Sequence, residues 1–235
     1  MSAAEIEIRR TLQLDAAAAP AHVLLGIILL ELQENVEAVS QLERGVDLDP
    51  KNLDAQFYLG RARYALGDKA GAAEALRKAV DLRPNQIDPI FFLATALEEI
   101  GSNDAALFRY RELVRIAPGN VKGHVGLGAL LAKMGRYDEA EQSLRLAVKL
   151  DPEGYEPNYA LGVSLAHLSR LEEAVPLLQK AALLQPQLPD PHYQLGQALK
   201  RIGKEAEAQR EFETVERLNA EFRTRGKTME IKKNK

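Results

Sequence analysis

The chain has 235 residues, 31 basic and 34 acidic, for a formal net charge of −3, with 46% apolar residues and no cysteine. The lack of cysteine excludes disulfides and thiol chemistry and fits a reducing or an oxidising compartment alike. No uninterrupted apolar run approaches the ~18 residues of a membrane span, and the apolar content is spread without a second compositional zone, which points to one elongated domain.

The organising feature is an interval. Prolines stand 34 residues apart at Pro50, Pro84, Pro118, Pro152 and Pro186, and a fixed period of this length marks a solenoid whose units bury their apolar faces only by stacking. Counting so that Pro50 is position 32 of a unit that starts at Ala19, position 7 reads Leu25, Leu59, Leu93, Leu127, Leu161 and Leu195. Position 8 reads Gly26, Gly60, Ala94, Gly128, Gly162 and Gly196, and position 20 is alanine from Ala38 to Ala208. Small residues beside a leucine let two helices approach closely.

In chain order, Ala4, Ile8, Thr11, Leu14, Asp15 and Ala16 fall in the register of a second helix whose first helix is missing. Residues 1–18 are therefore read as the second helix of a truncated repeat, with the expectation that the natural protein extends upstream or that this half-unit docks on another molecule. Glu5 and Glu7 stand where a signal peptide needs a basic start, and Val23 to Leu30 is read as the first helix of unit one. Localisation is left open, with the cytoplasm as the default. Residues 19–220 hold six helix-turn-helix units. Apolar residues recur at helical spacing in Leu59, Ala62 and Leu66, then in Ala72, Leu76, Ala79 and Val80, with Gly67 and Asp68 as the turn. Each position-32 proline stops a second helix, since it lacks an amide hydrogen and clashes with the preceding turn. Asp104, Asp138 and Glu172 suit the positive end of the second-helix dipole. In the last unit position 32 is Ala220, so the helix is expected to run on through Phe222 towards Gly226, closing the apolar stack, before a basic disordered tail within 221–235. That tail carries Arg223, Arg225, Lys227, Lys232, Lys233 and Lys235, a net +4 against −7 for the rest. The body therefore repels phosphate backbones, and no nucleic-acid partner is expected.

Catalytic and metal chemistry find little support. His22, His124 and His192 all occupy position 4 of separate units, whereas a metal site needs convergence. Gly226-Lys227-Thr228 ends like a phosphate-binding loop, but Glu221 holds the upstream glycine position. Gly126 and Gly128 suggest a dinucleotide fingerprint, yet Gly128 is the packing glycine of the repeat. Glu98 with Glu99, and Glu172 with Glu173, read as solvated helix faces. No nucleophile, base and orienting group assemble, so no enzyme and no cofactor is expected.

The joint pattern, as in Leu127-Gly128, Gly135, Ala140, Ala147 and Pro152, resembles the tetratricopeptide repeat family over residues 19 to about 219. The chain departs from it at position 4, commonly tryptophan, which reads His22, Gln56, Ile90, His124, Asn158 and His192. A pentatricopeptide array, with its longer repeat and its RNA ligands, is the poorer match. The resemblance implies an all-α, right-handed α-solenoid of helix-turn-helix repeats whose first helices line a concave groove through positions 2, 5, 9, 12 and 13. Position 5 reads Val23, Phe57, Phe91, Val125, Tyr159 and Tyr193, so an apolar and aromatic strip is expected there. The expected partner-binding residues are Phe57, Arg61, Tyr64, Phe91, Thr95, Lys122, Val125, Tyr159, Tyr193 and Gln197. Exposed rings gain by burying area against a partner, so the ligand is a protein or peptide segment with apolar anchors. At position 2, Asp54, Asp88, Glu156 and Asp190 suit the helix dipole and are placed to meet basic partner residues.

Two known modes of the family are disfavoured. The lysine and asparagine of a carboxylate clamp are missing from positions 5 and 9, and position 6 lacks an asparagine ladder, reading Leu24, Tyr58, Phe92, Gly126, Ala160 and Gln194. The chain is read as a protein-interaction scaffold. The alternatives are a homo-oligomerising or assembly module that uses the N-terminal half-repeat, and a targeting module of a larger protein.

Overall fold

The computed structural model describes residues 3–233. Every regular element among the described residues is an α-helix, and the chain divides into two compact units at Pro118 and Gly119. The first contains α1 (Ala3–Leu14), α2 (Ala19–Glu31), α3 (Asn35–Leu48), α4 (Leu53–Ala65), α5 (Lys69–Leu82), α6 (Ile87–Glu99) and α7 (Asn103–Ile116). The second contains α8 (Val121–Lys133), α9 (Tyr137–Leu150), α10 (Tyr155–His167), α11 (Leu171–Leu184), α12 (Pro189–Arg201) and α13 (Glu205–Lys233).

The helix ends follow the punctuation of the repeat. α3, α5, α7, α9 and α11 each stop two residues before a position-32 proline. The residue between is pushed to extended backbone, as at Asp49 (φ −138°) and Arg83 (φ −144°), as expected ahead of a proline ring. First helices start on side-chain caps where the sequence supplies them. Asn52 Oδ1 accepts from the Ala55 amide at 2.9 Å, and Asn120 Oδ1 accepts from Gly123 at 2.7 Å, each worth about 1 kcal/mol. The turn between the helices of a hairpin passes through left-handed backbone at position 15. Glycine takes it at Gly67, Gly101, Gly135 and Gly203, whereas Gln33 (φ 62°) and Ser169 (φ 61°) hold it against the penalty on a Cβ. In the last hairpin α13 continues past Gly226 to Lys233, further than the sequence reading carries it, because Ala220 replaces the proline that stops the other second helices. Residues 234 and 235 of the basic tail lie outside the described residues.

Within each unit, every first helix packs on its own second helix and on the next first helix. The hairpin contact is set by position 8 against position 24, a column that spacing alone does not single out. A Cβ on Gly60 would stand 2.5 Å from Leu76 Cγ and 3.2 Å from the Ala72 carbonyl oxygen. Gly26 meets Leu42, Gly162 meets Leu178 and Gly196 meets Phe212 in the same way. Leu42, Leu76, Leu144 and Leu178 are wholly buried, each contributing about 1.5–3 kcal/mol by removal from water. In the first unit the core runs through Leu25, Leu29, Leu42, Leu59 and Ala62, with Ile8 and Leu12 of α1 packed against it. Val23 belongs to this core at 5% exposure, with Gly45 beneath it, and so drops out of the expected exposed strip.

Two expected outcomes follow from this packing. Gly60→Val is expected to cost about 1–3 kcal/mol by overpacking against Leu76, whereas Gly119→Ala, with nothing within 4 Å of the added methyl, stays within about 0.5 kcal/mol. Denaturant unfolding followed by circular dichroism separates the two, and equal effects would refute the close-approach argument. Gln33→Gly is expected to stabilise by about 1 kcal/mol through relief of left-handed strain, and a lowered unfolding midpoint would count against it.

Candidate functional site

In the first unit the exposed side of α4 and α6 carries a continuous ring cluster. Phe57 meets Tyr58 edge-on at 5.1 Å between centroids and Phe92 at 5.6 Å, and Phe91 meets Phe92 at 5.7 Å. Arg61, one helical turn after Phe57, lays its guanidinium carbon 5.4 Å from the Tyr58 and Phe92 centroids and 5.8 Å from that of Phe57. A cation over ring faces is held by their quadrupoles. Of the expected residues, Phe57, Arg61 and Phe91 are therefore brought together. The sequence reading missed Tyr58 and Phe92, although both stand in the position-6 column and share its 34-residue spacing.

Tyr64 and Thr95 are engaged by their own chain. Lys69 Nζ sits 3.2 Å from the Tyr64 ring centroid and donates to the Tyr64 carbonyl at 3.0 Å. Thr95 Oγ1 donates to the Phe91 carbonyl at 3.1 Å and lies 3.2 Å from the Tyr110 hydroxyl. Tyr110, from α7, backs the Phe91 ring at 6.2 Å. Burial pushes the Tyr110 hydroxyl up to about 12, and burial with the charges of Glu99 and Glu98 raises Tyr64.

In the second unit α8, α9 and α10 enclose a recess of about 440 Å³. Val125, Ala129, Ala132 and Lys133 line it from α8, Tyr137 from α9, and Tyr155, Glu156, Tyr159, Ala160, Val163 and His167 from α10. Most of these are positions 2, 5, 9, 12 and 13 of two successive repeats. Alanine at 129, 132 and 160 leaves the space, and stacked rings wall it. Tyr155 lies on Tyr159 at 5.6 Å with 17° between planes, and Tyr137 lies on His167 at 4.6 Å with 10°. Burial, then Tyr159, Asp190 and Glu156, pushes the Tyr155 hydroxyl up to about 12, and burial with Asp190 raises Tyr159. Val125 and Tyr159 thus meet in one site. Lys122, Tyr193 and Gln197 stand outside it; Tyr193 is 46% exposed, with its ring 6.2 Å from Phe212.

The position-4 side chains tie hairpins together. His22 Nδ1 lies 2.8 Å from Gln41 Oε1, His124 Nδ1 3.2 Å from Ser143 Oγ and His192 Nδ1 2.6 Å from Glu211 Oε2, each pair joining position 4 to position 23 of the same repeat. Gln56 and Asn158 instead donate to the preceding Pro50 and Pro152 carbonyls at 3.3 and 2.9 Å. In five repeats hydrogen-bonding residues thus hold the place that tryptophan commonly fills, and the buried Ile90 holds it in the remaining one. Among the described residues no group of three or more His, Asp or Glu is placed to hold a metal ion, and no helix is long and apolar enough to cross a membrane.

The fold defines an all-helical protein of repeated helix-turn-helix units. Sequence profiles of the tetratricopeptide repeat match residues 23–87, 125–189 and 189–222, and the chain belongs to the tetratricopeptide repeat family. Its members are generally non-enzymatic interaction scaffolds that bind protein or peptide partners. No curated protein matches the chain. Among solved structures it is similar to pilF of Pseudomonas aeruginosa, at 18% identity over 87% of this chain and 92% of that one, with a TM-score of 0.74. It is also similar to YrrB, a TPR protein with an unusual peptide-binding site, at 21% identity over 76% and 92%, with a TM-score of 0.64. A third similar structure is MamA of Desulfovibrio magneticus RS-1, at 22% identity over 72% and 96%, with a TM-score of 0.65.

The raised tyrosines predict an alkaline limit. The folded chain favours the neutral phenols of Tyr110 and Tyr155, so their contribution to stability is complete below pH 10 and is lost as pH rises through about 12. Absorbance titration at the tyrosinate band is expected to show these groups ionising last of the seven tyrosines, in step with unfolding. Full ionisation by pH 11 with the fold intact would contradict the placement of both rings.

Proposed function

We propose that the chain is a non-catalytic scaffold that takes a partner protein segment on the first-helix face of each unit, through apolar anchors. The observation that carries this reading is the recess of the second unit, because its lining falls on the repeat positions that the family turns towards ligands. An apolar recess with a few polar groups at its edge is the usual form of a site that buries a side chain. In the first unit the contact surface is the cluster of Phe57, Arg61 and Phe91, extended by Tyr58 and Phe92. Aromatic and arginine side chains of this kind carry much of the energy at protein interfaces. Lys122, Tyr193 and Gln197 serve as outlying contacts in this proposal, and Tyr64 and Thr95 shape the face from behind.

A second reading, assembly through α1, draws on Leu14 at 84% and Ile6 at 52% exposure. Light scattering distinguishes it, since self-assembly through α1 gives a mass above that of one chain which Ile6→Ser with Leu14→Ser lowers. For the groove reading, Phe57→Ala with Phe91→Ala, and separately Tyr159→Ala, are expected to weaken partner capture about tenfold or more, the loss of one or two anchor contacts. Undiminished capture by these variants, folded by circular dichroism, would sink the proposal.

A further inference from the structure

The recess of the second unit is a trough with unlike ends. Tyr155 and His167 are the first and last residues of α10, so the lining runs the length of that helix, about 18 Å at 1.5 Å per residue. That length spans about five residues of extended chain. The middle is apolar and floored by small side chains, Ala129, Ala132 and Ala160, with Val125 and Val163 beside them. At the Tyr155 end Glu156 lines the trough, and Asp190, in the first turn of α12, acts electrostatically on both the Tyr155 and the Tyr159 hydroxyls. Neither carboxylate has an ion-pair or hydrogen-bond partner among the described residues. At the other end stand Lys133, His167 and Arg201, the last donating to the Ala166 carbonyl at 2.7 Å and to Ser169 Oγ at 2.9 Å.

Building on the groove reading above, we propose that this trough selects a protein segment with one bulky apolar side chain adjoining a lysine or arginine, the apolar group over the alanine floor and the cation against Glu156 and Asp190. Charge complementarity favours this occupant. A carboxylate that lines the recess, Glu156, with Asp190 acting on the same tyrosine pair, repels an acidic neighbour and attracts a basic one. The tyrosine pair beside them offers its ring faces to the same cation. A purely apolar segment would leave both carboxylates without a partner and gain nothing from them.

The test uses the full chain and an array of twelve-residue peptides that place tryptophan or leucine at the centre, followed by lysine, arginine, glutamine or glutamate. Peptides with lysine or arginine are expected to be retained about fivefold or more over those with glutamate. The preference should vanish in the Glu156→Gln, Asp190→Asn double variant and persist in Glu156→Asp, Asp190→Glu. Ala129→Leu, which fills the floor at an exposed position, should lose retention of every peptide. Retention that ignores the neighbouring charge but is lost on Ala129→Leu overturns the cation selection and leaves the groove reading standing. Retention unaffected by Ala129→Leu, or no retention above that variant by the unaltered chain, overturns both.

Discussion

The structure depends on one close approach, repeated in every hairpin: a residue without side-chain bulk at position 8 against a large side chain at position 24. Gly26, Gly60, Gly128 and Gly162 let a leucine of the second helix lie almost on the backbone of the first. This distance fixes how far apart the two helices stand and which face of the first helix remains available. Where position 24 is aromatic, the same contact reaches through to the exposed side. Tyr110, opposite Ala94, backs the ring of Phe91, and Phe212, opposite Gly196, stands 6.2 Å from Tyr193. Phe91 and Tyr193 are thus backed by the column that holds the hairpin. A pre-oriented ring loses less freedom on binding than a mobile one.

The remaining constraints fix direction. Left-handed backbone at position 15 reverses the chain inside a hairpin, and proline at position 32 stops the second helix and aims the next. Both act on the backbone and leave the side chains of the first helices free to vary. Position 4 shows how much variation is tolerated. Histidine pairs with position 23 in three repeats, whereas Gln56 and Asn158 reach back to the carbonyl of the preceding proline. Each of these five side chains gains a partner for at least one polar atom in a tight space, which offsets the cost of removing that atom from water.

The fold was legible because its determinants are periodic. Leucine at 7, the small residue at 8, alanine at 20 and proline at 32 recur at one interval, and each imposes a steric condition that needs no knowledge of distant contacts. The functional faces were legible only in part, because spacing says which residues share a side and not which of them spend themselves on neighbours. Val23 shares the column of Phe57 and Val125 yet is buried over Gly45, a local contact that a shared column does not reveal. Thr95 was expected to face a partner and instead bonds to its own helix beside Tyr110. Tyr58 and Phe92 were passed over because position 6 was read only for asparagine, while the recess of the second unit arises from residues that are absent. Small side chains at Ala129, Ala132 and Ala160 leave no periodic signal of a cavity.

The two faces differ in what they offer, and the difference follows from side-chain volume. In the first unit Phe57, Tyr58 and Phe92 already surround a guanidinium, so the space between the rings is filled by Arg61. In the proposed reading a partner there gains by covering ring faces and the charge they hold, a contact over area. In the second unit the alanines leave about 440 Å³ open between two stacked ring pairs, so a partner gains by insertion. A side chain laid into an open trough loses more of its contact with water than one laid on a filled surface. The transfer free energy scales with the area removed, so the proposed binding would gain more per residue in the second unit. On the same proposal discrimination would fall there too, because a recess rejects what does not fit and a flat face accepts many shapes.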